Sequence, residues 1–373
     1  MSKLNDIIKT EITKKGKITF ADFMQLALYH PEYGYYSSGK NEIGKEGDFY
    51  TSPYVHKAFG RVIGNFVIKS LEYIDEKKLS VLEVGAGKGF LALDVLDRIK
   101  EHDDNLYDRL NYYIVERNDT SKSNALKILG EHINKINWLS DLSDINNSEI
   151  AGVVISNELF DALSFHRLKI VNSELVEIYV SLDNEEYIEV IDMPGHKELA
   201  HYAQQTNLDF IEGQEFEINL EAENMLLQIE NKLAQGFVLT IDYGFLQNEL
   251  YSPDRKRGTY KCLHKHQINE APYLNIGEQD ITAHVDFSNL IRAGNKLGLN
   301  KIIYTTQGQF LVDWGILEFI ESNTNQKEIQ AVKNLFLPEL MGDKFKVLLQ
   351  EKNIADSKAF YPQSPLKISF KVL

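Results

Sequence analysis

The sequence predicts an α/β protein organised around a doubly wound, mostly parallel sheet. Residues 80–99 contain an apolar run, three glycines at alternate positions and an apolar periodic segment, which is the order strand, tight turn, helix. The runs 152–156 and 237–241 are nearly all apolar, as strands buried on both faces should be. Helical and strand-like segments alternate along the first half of the chain, which favours the same fold class.

Helical spacing and short apolar runs predict the remaining elements. His30-Pro31 ends the first helical pattern, because the residue before a proline is driven out of the helical region. Gly236 and Gly298 are predicted to cap two later helices at their C-termini. The predicted helices are 4–30, 54–74, 90–100, 221–235, 286–297, 308–322 and 326–336. The predicted strands are 80–84, 112–115, 135–139, 152–156, short antiparallel strands within 165–192, 237–241, 301–304 and a closing edge strand at 366–370.

The predicted domain organisation is one sheet domain preceded by a helical segment. Residues 1–78 are assigned to N-terminal helices and a lid loop, and residues 79–373 to the sheet domain. The lid loop, 32–53, has no period and is rich in Tyr, Gly and Ser, and ordered loops of this length are usually functional. Two insertions, at about 165–215 and 245–285, are expected to wall the substrate cleft.

Composition and charge narrow the class of protein. With 40 basic and 55 acidic residues the net charge is −15, so the surface should repel nucleic acid and anionic membranes and favour a neutral or basic partner, unless the charge serves solubility alone. A single cysteine excludes a disulfide framework and fits a reducing compartment. No apolar run approaches the ~18 residues of a membrane helix. The first twenty residues resemble neither a signal peptide nor a transit peptide, so we expect a cytoplasmic location without membrane insertion.

The sequence does not support a metal site or a serine or cysteine nucleophile. Cys262-x-His264-x-His266 lacks the spacing of zinc ligands and has no second cysteine, so we interpret it as a polar loop and expect no metal. No G-x-S-x-G motif occurs, and Cys262 has no evident activating context. His166 follows an acidic cluster closely, but an ordinary partly buried histidine is the simpler interpretation.

The glycine turn after the first predicted sheet strand is the strongest functional signal. It departs from the dinucleotide pattern G-x-G-x-x-G, because the third glycine comes one residue early and Phe90 stands where that pattern has Gly or Ala. The pattern E-x-G-x-G-x-G at 83–89 instead resembles motif I of class I S-adenosyl-L-methionine (SAM) methyltransferases, whose turn holds the amino-acid end of SAM. A glycine turn without a ligand is the alternative that this motif alone leaves open. The cofactor-binding residues that the resemblance implies here are Glu83, Gly85, Ala86, Gly87 and Gly89.

Acidic residues follow the predicted strands at the edge where a doubly wound sheet binds its ligands. Glu116 ends the second strand, where a carboxylate can accept hydrogen bonds from both ribose hydroxyls. Asp141 follows the third strand, where its side chain and the next backbone N–H, that of Leu142, can recognise an adenine edge. Asp242 ends the fifth strand. Each could instead be a helix N-cap or a solvated strand end, but their grouping beside a glycine turn favours a ligand site.

The fourth strand ends in a polar cluster. Asn157 and Glu158 end the strand, and Asp161 follows three residues later, on the same face if the segment is helical. Asn157 is assigned to cofactor binding. Asp48 and Thr51 of the lid loop are assigned to it as well, because that loop is expected to fold over the cofactor edge.

Several longer strings extend the resemblance beyond the glycine turn. They are FMQLALYHP (23–31), GYY (34–36), GDFYTSP (47–53), EVGAGKG (83–89), NELFDAL (157–163), IDYG (241–244), QDITAHVDF (279–287), TTQG (305–308) and MG (341–342). With these strings the chain resembles the MidA family of SAM-dependent methyltransferases, found in bacteria and, as a complex I assembly factor, in mitochondria. The resemblance implies a Rossmann-like class I sheet and SAM as cofactor. One departure is Ser164, where the family usually has proline.

We predict that the substrate is an arginine side chain of a partner protein, and the resemblance suggests a respiratory-complex subunit as that partner. Glu158 and Asp161 are the catalytic candidates, because two carboxylates can accept guanidinium N–H groups and aim one nitrogen at the methyl group. In the alternative interpretation, Glu158 binds the methionine end of SAM and Asp161 caps a helix. Two other functions stay open: a small-molecule methyltransferase, and a SAM-binding assembly protein that transfers nothing.

Overall fold

The computed structural model describes residues 3–38 and 51–362, which form two compact units. The sheet unit consists of 50–159, 226–243 and 291–373, and the insertion unit of 1–49, 160–225 and 244–290. The first boundary falls at residue 49 instead of 78, because the helix at 58–72 packs into the core of the sheet unit. Asp48 and the expected edge strand at 366–370 lie outside the described residues.

Helices alternate with strands in the sheet unit, and strands predominate in the insertion unit. The helices are α1 (Lys3–Lys15), α2 (Phe20–Tyr29), α3 (Ser52–Val55), α4 (Ala58–Glu72), α5 (Phe90–His102), α6 (Asp104–Arg109), α7 (Asp119–Leu129), α8 (Lys197–Gln205), α9 (Glu221–Lys232), α10 (Gln247–Leu250), α11 (Phe287–Leu297), α12 (Gln307–Asp313), α13 (Glu318–Glu321) and α14 (Gln326–Phe336). The strands are β1 (Ile18–Thr19), β2 (Leu79–Val84), β3 (Leu110–Val115), β4 (Ile136–Leu139), β5 (Ile150–Asn157), β6 (His166–Val171), β7 (Glu174–Asp183), β8 (Glu186–Asp192), β9 (Glu215–Ile218), β10 (Leu233–Phe245), β11 (Lys261–His264), β12 (Gln267–Asn269), β13 (Asp280–Thr282), β14 (Val285–Asp286), β15 (Asn300–Thr306) and β16 (Phe345–Lys352). Among these helices, none combines the length and the apolar composition needed to cross a membrane.

The sheet unit is built on seven strands in the order β15-β16-β10-β5-β2-β3-β4. Strands β2, β3, β4, β5 and β10 run parallel, whereas β16 is antiparallel to both of its neighbours. The chain moves outward from β2 to β3 and β4, then returns to β5 on the other side of β2. This reversal is the switch point of a doubly wound sheet, the place where such folds bind ligands. The predicted fold class is therefore confirmed.

Close packing of α4 on α5 supports the helix that follows the glycine turn. A Cβ on Gly60 would lie 2.5 Å from the Cβ of Asp94, and one on Gly64 would lie 2.8 Å from the Cβ of Arg98. The absence of side chains at these two positions lets the helix backbones approach. The buried face of α5, which includes Val95, joins the apolar core of the sheet unit.

The insertion unit gathers three separate chain segments around its own sheets. Strands β1, β7, β6 and β9 pair in that order, and β8 pairs with β7. The turn between β7 and β8 places Asn184 and Glu185 at φ +47° and +70°, and the antiparallel strands predicted within 165–192 are confirmed. Phe20, Phe23 and Phe165 lie in its apolar core.

The structure corrects several element assignments, and the helices expected over 54–74 and 308–322 are each two helices. The helix expected over 4–30 is two helices, because the chain leaves α1 at Gly16, where φ is +82°. Gly236 does not cap a helix: it lies inside β10, where a Cβ would come within 1.9 Å of the Gly152 carbonyl oxygen on β5. Residues 261–264, expected to be a loop, form β11, with Cys262 buried.

Candidate functional site

The parallel strands of the sheet unit bring most of the expected site residues to one edge. The carboxyl end of each strand is followed or flanked by one such residue: Gly85 after β2, Glu116 after β3, Asp141 after β4, Glu158 after β5 and Asp242 near the end of β10. Ladder pairing puts Asn157 opposite Ile241, so the ends of β5 and β10 are level with each other. This edge is the candidate ligand site of the sheet unit.

The glycine turn takes a backbone that other residues adopt only with strain. Gly85, Gly87 and Gly89 have φ of +79°, +53° and +79°. The Gly85 N–H donates to the Val115 carbonyl oxygen at 3.0 Å, which ties the turn to β3. Helix α5 begins directly after Gly89, and its first turn presents N–H groups and a positive dipole end. The turn therefore offers a close approach to an anionic group such as a carboxylate.

Glu116 connects this turn to the next strand. Its Oε2 accepts a hydrogen bond from the Gly87 N–H at 3.1 Å, and its Oε1 accepts one from the Asn118 N–H at 2.9 Å. Burial raises the pKa of Glu116. A carboxylate fixed at the end of the strand beside β2 fits the expected contact with ribose hydroxyls.

Asp141 already has partners inside the protein. Its Oδ1 accepts a hydrogen bond from the Ser143 N–H at 3.0 Å and caps the short 3-10 turn Leu142–Asp144, while its Oδ2 pairs with Arg117 at 2.7 Å. The Ser143 bond is the main reason that the pKa of Asp141 lies below its ordinary value. The capping alternative is therefore realised, and recognition of an adenine edge by Asp141 and Leu142 stays a prediction.

Glu83 faces the interior of the sheet unit. It is 3% exposed, and its Oε2 accepts a hydrogen bond from the Tyr112 hydroxyl at 2.7 Å. Burial raises its pKa to about 7. The carboxyl group supports the strand beneath the glycine turn, and a direct role for Glu83 in cofactor binding stays a prediction.

We expect Glu83 to make folding pH-dependent. Between its ordinary pKa of 4.5 and its folded pKa of about 7, the folded protein holds a proton that the unfolded chain has released. The free energy of unfolding should therefore fall by about 3 kcal/mol as pH rises through this window, and level off above it. Glu83→Gln cannot titrate, so chemical denaturation of both proteins across this range should show a shallower decline for the variant. An equal decline in the free energy of unfolding of the wild-type protein and Glu83→Gln would contradict the raised pKa of Glu83.

The turn after β5 holds Glu158 in a left-handed conformation. Its φ is +53°, which is uncommon for a residue with a side chain, and strained residues of this kind cluster at functional sites. The Glu158 N–H donates to the Ile241 carbonyl oxygen at 2.9 Å, and Asn157 Nδ2 donates to Glu158 Oε1 at 3.1 Å. A Cβ on Gly85 would lie 3.4 Å from Leu159 Cδ1, so this turn and the glycine turn are neighbours. A direct cofactor contact by Asn157 stays a prediction.

The segment after the expected lid loop packs against the start of α5. Thr51 is buried and precedes α3, and within α3 the Tyr54 ring lies 4.9 Å from the Phe90 ring. The Lys88 ammonium lies 6.0 Å from the same Tyr54 ring. Thr51 therefore belongs to a segment at the glycine turn, and its contact with the cofactor stays a prediction.

Asp161 lies in the insertion unit and is 6% exposed. No helix begins at residues 158–165, so the alternative in which Asp161 caps a helix is wrong. The helical spacing that would put Asp161 on the same face as Glu158 is absent from this segment as well. Its backbone carbonyl accepts a hydrogen bond from the Ala283 N–H at 3.2 Å. The Tyr36 hydroxyl donates to Asp280 Oδ1 at 2.8 Å, and burial, together with the charges of Asp280 and Asp161, raises the pKa of Tyr36. The negative charges of two buried carboxylates therefore both contribute to the raised pKa of the Tyr36 hydroxyl.

Sequence reasoning did not assign a role to Tyr36 or Asp280. Both lie in strings that carry the family resemblance, GYY (34–36) and QDITAHVDF (279–287), but neither string has a spacing that indicates chemistry. Only the fold of the insertion unit places the Tyr36 hydroxyl on Asp280. Their position in strings shared with the family was the sequence signal that could have drawn attention to Tyr36 and Asp280.

Comparison with known proteins agrees with this geometry. Residues 62–305 match the model of a family described as "putative S-adenosyl-L-methionine-dependent methyltransferase". A Burkholderia thailandensis protein solved with bound S-adenosyl-homocysteine has a TM-score of 0.87 and 28% identity, over 97% of this chain and 95% of that chain. A native structure of a protein from the same organism has a TM-score of 0.85 over the same shares of the two chains.

Curated relatives from animals match over most of their length. The chain is similar to the mitochondrial protein arginine methyltransferase NDUFAF7 of Xenopus laevis, with 26% identity over 92% of this chain and 83% of that protein. The human protein of the same name is 26% identical over 90% of this chain and 80% of its own length. The family match and the likeness to a structure with bound S-adenosyl-homocysteine establish SAM as the cofactor, and the glycine turn with the Glu116 carboxylate beside it agrees with this.

Proposed function

This chain belongs to the MidA family of SAM-dependent methyltransferases, and on that premise we propose that its methyl acceptor is an arginine side chain of a partner protein. The names of the mitochondrial relatives support this substrate class. The net charge of −15 supports it as well, because a cationic target would be drawn to an acidic protein.

The turn that follows β5 is the observation that carries the proposal. Glu158 stands on a strained backbone next to the glycine turn, with its carboxylate held by Asn157. Asp161, three residues later, lies buried in the insertion unit, which also contains Asp280 and the Tyr36 hydroxyl bonded to it. A guanidinium pairs with carboxylates in a planar, bidentate geometry, which fits the residue types in this segment.

The roles of the two carboxylates follow from the chemistry of the acceptor. Bound SAM supplies a methyl group on an activated sulfonium. A guanidinium nitrogen is a poor nucleophile, because its lone pair is delocalised and its pKa is far above neutral. In the proposed mechanism Glu158 and Asp161 accept its N–H groups, localise its charge and aim one nitrogen at the methyl group. One of them would take the proton as the nitrogen–carbon bond forms and the bond between the methyl carbon and the sulfonium sulfur breaks.

A labelling experiment tests this proposal. Purified protein and SAM carrying a tritiated methyl group are added to lysate from a strain deleted for the gene. We expect label in a protein band, since the proposed acceptor is a protein side chain. Label only in the soluble small-molecule fraction would identify a small-molecule methyltransferase, and no label in either fraction would favour a SAM-binding assembly protein. Either result would overturn the proposal.

A further inference from the structure

Asp242 holds the turn on which Glu158 stands. It lies in β10, is 0% exposed, and accepts a hydrogen bond at Oδ2 from the Leu159 N–H at 3.2 Å. Its Oδ1 accepts a second bond from the Tyr243 N–H at 2.9 Å. Both oxygens of one buried carboxylate therefore bind backbone donors, and one of those donors belongs to the residue after Glu158.

Three contacts together fix the backbone on both sides of Glu158. The Glu158 N–H bonds the Ile241 carbonyl, the following N–H bonds Asp242, and the Glu158 carboxylate accepts from Asn157. A left-handed residue with a side chain persists only where its surroundings hold it there. Among these three contacts only the Asp242 bond comes from a side chain on another strand, and the second oxygen of the same carboxylate accepts from the Tyr243 N–H.

We propose that Asp242 is a positioning residue for methyl transfer, which acts through Glu158 and touches neither cofactor nor acceptor. This inference rests on the proposed catalytic function of Glu158. The Asp242 carboxylate keeps Glu158 at positive φ, and thereby keeps the Glu158 carboxylate directed for the acceptor. It also holds Leu159, whose side chain lies beside Gly85, so that the turn after β5 and the glycine turn keep their spacing.

The test is Asp242→Asn, which keeps the shape of the side chain. An amide has one acceptor oxygen, so one of the two backbone N–H groups would face another donor. Hydrogen exchange at the Leu159 amide, measured in the free protein, should become about tenfold faster. In the labelling assay kcat should fall about tenfold or more, while KM for SAM and affinity for S-adenosyl-homocysteine stay within about twofold.

Asp313→Asn is the matched control. Asp313 lies in the same unit, and its two oxygens also accept separate donors, Gln309 Nε2 at 2.7 Å and the Tyr361 hydroxyl at 2.9 Å. This variant should leave Leu159 exchange and methyl transfer unchanged. If Asp242→Asn fails to fold, we expect Glu158→Gly combined with Asp242→Asn to fold, because glycine takes positive φ without strain.

The outcomes separate this inference from the proposed function. Transfer and Leu159 exchange that are both unchanged in Asp242→Asn, beside an inactive Glu158→Gln, would overturn the positioning role and leave the proposed function standing. Faster exchange with unchanged transfer would also overturn it. Wild-type protein that labels no protein would overturn the proposed function instead, and Leu159 exchange would then decide alone whether Asp242 holds the turn.

Discussion

Replacing Glu158 by glutamine should lower methyl transfer about a hundredfold or more, because the amide can neither pair with a guanidinium nor take its proton. Affinity for S-adenosyl-homocysteine, measured by calorimetry, should stay within about twofold. The same pair of results is expected for Asp161→Asn, since the buried Asp161 carboxylate is the second proposed partner of the acceptor.

Glu185→Gln is the control for Glu158→Gln. Glu185 is also a glutamate at positive φ, but it lies in the β7–β8 turn with a largely exposed side chain. Its replacement should change neither transfer nor cofactor affinity. Full transfer in both Glu158→Gln and Asp161→Asn would refute their catalytic roles. A large loss of S-adenosyl-homocysteine affinity in Glu158→Gln would instead place this carboxylate on the methionine end of the cofactor.

Replacing Gly85 by valine should reduce affinity for SAM about a hundredfold or more. At φ +79° a residue with a side chain is strained by about 1–2 kcal/mol, and a β-branched residue by more. The new Cβ would meet Leu159 at an ordinary distance of 3.4 Å, so the protein should still fold. The valine would stand on the turn that the cofactor must approach, and calorimetry with SAM measures the effect.

Gly298→Val separates backbone strain from loss of the site. Gly298 has φ +85°, and nothing lies within 4 Å of a Cβ built there. This variant should lose a similar amount of stability and keep its affinity for SAM. Equal loss of affinity in both variants, or none in Gly85→Val, would contradict the placement of the cofactor at the glycine turn.

The sequence predicted the centre of the fold and the positions of several candidate site residues at the ends of strands. Glycine spacing and buried apolar runs are local signals, so β2, the glycine turn, α5 and the position of Glu116 follow from short windows. The strings shared with the family identified the cofactor, because a resemblance in sequence can be recognised without knowing how the chain folds. The residues that follow the strands could be placed at one edge of the sheet, because parallel strands have their carboxyl ends at the same edge.

The rest depends on contacts between distant parts of the chain. The insertion of β16 between β10 and β15 is set by tertiary pairing, which no local pattern reports. In the sequence Gly236 resembles a helix cap. The structure shows that position 236 requires glycine because the Gly152 backbone, on another strand, lies too close for a Cβ. The bond from Asp242 to Leu159 spans 83 residues, and the left-handed Glu158 has no signature in its own sequence.

The central claim is that this methyltransferase modifies an arginine side chain of a protein. Its most direct test is mass spectrometry of the labelled partner after reaction with SAM carrying a trideuterated methyl group. The account predicts the heavy methyl group on an arginine, present with the wild-type protein and with Glu185→Gln and absent with Glu158→Gln. A heavy methyl group on lysine or glutamine would contradict it.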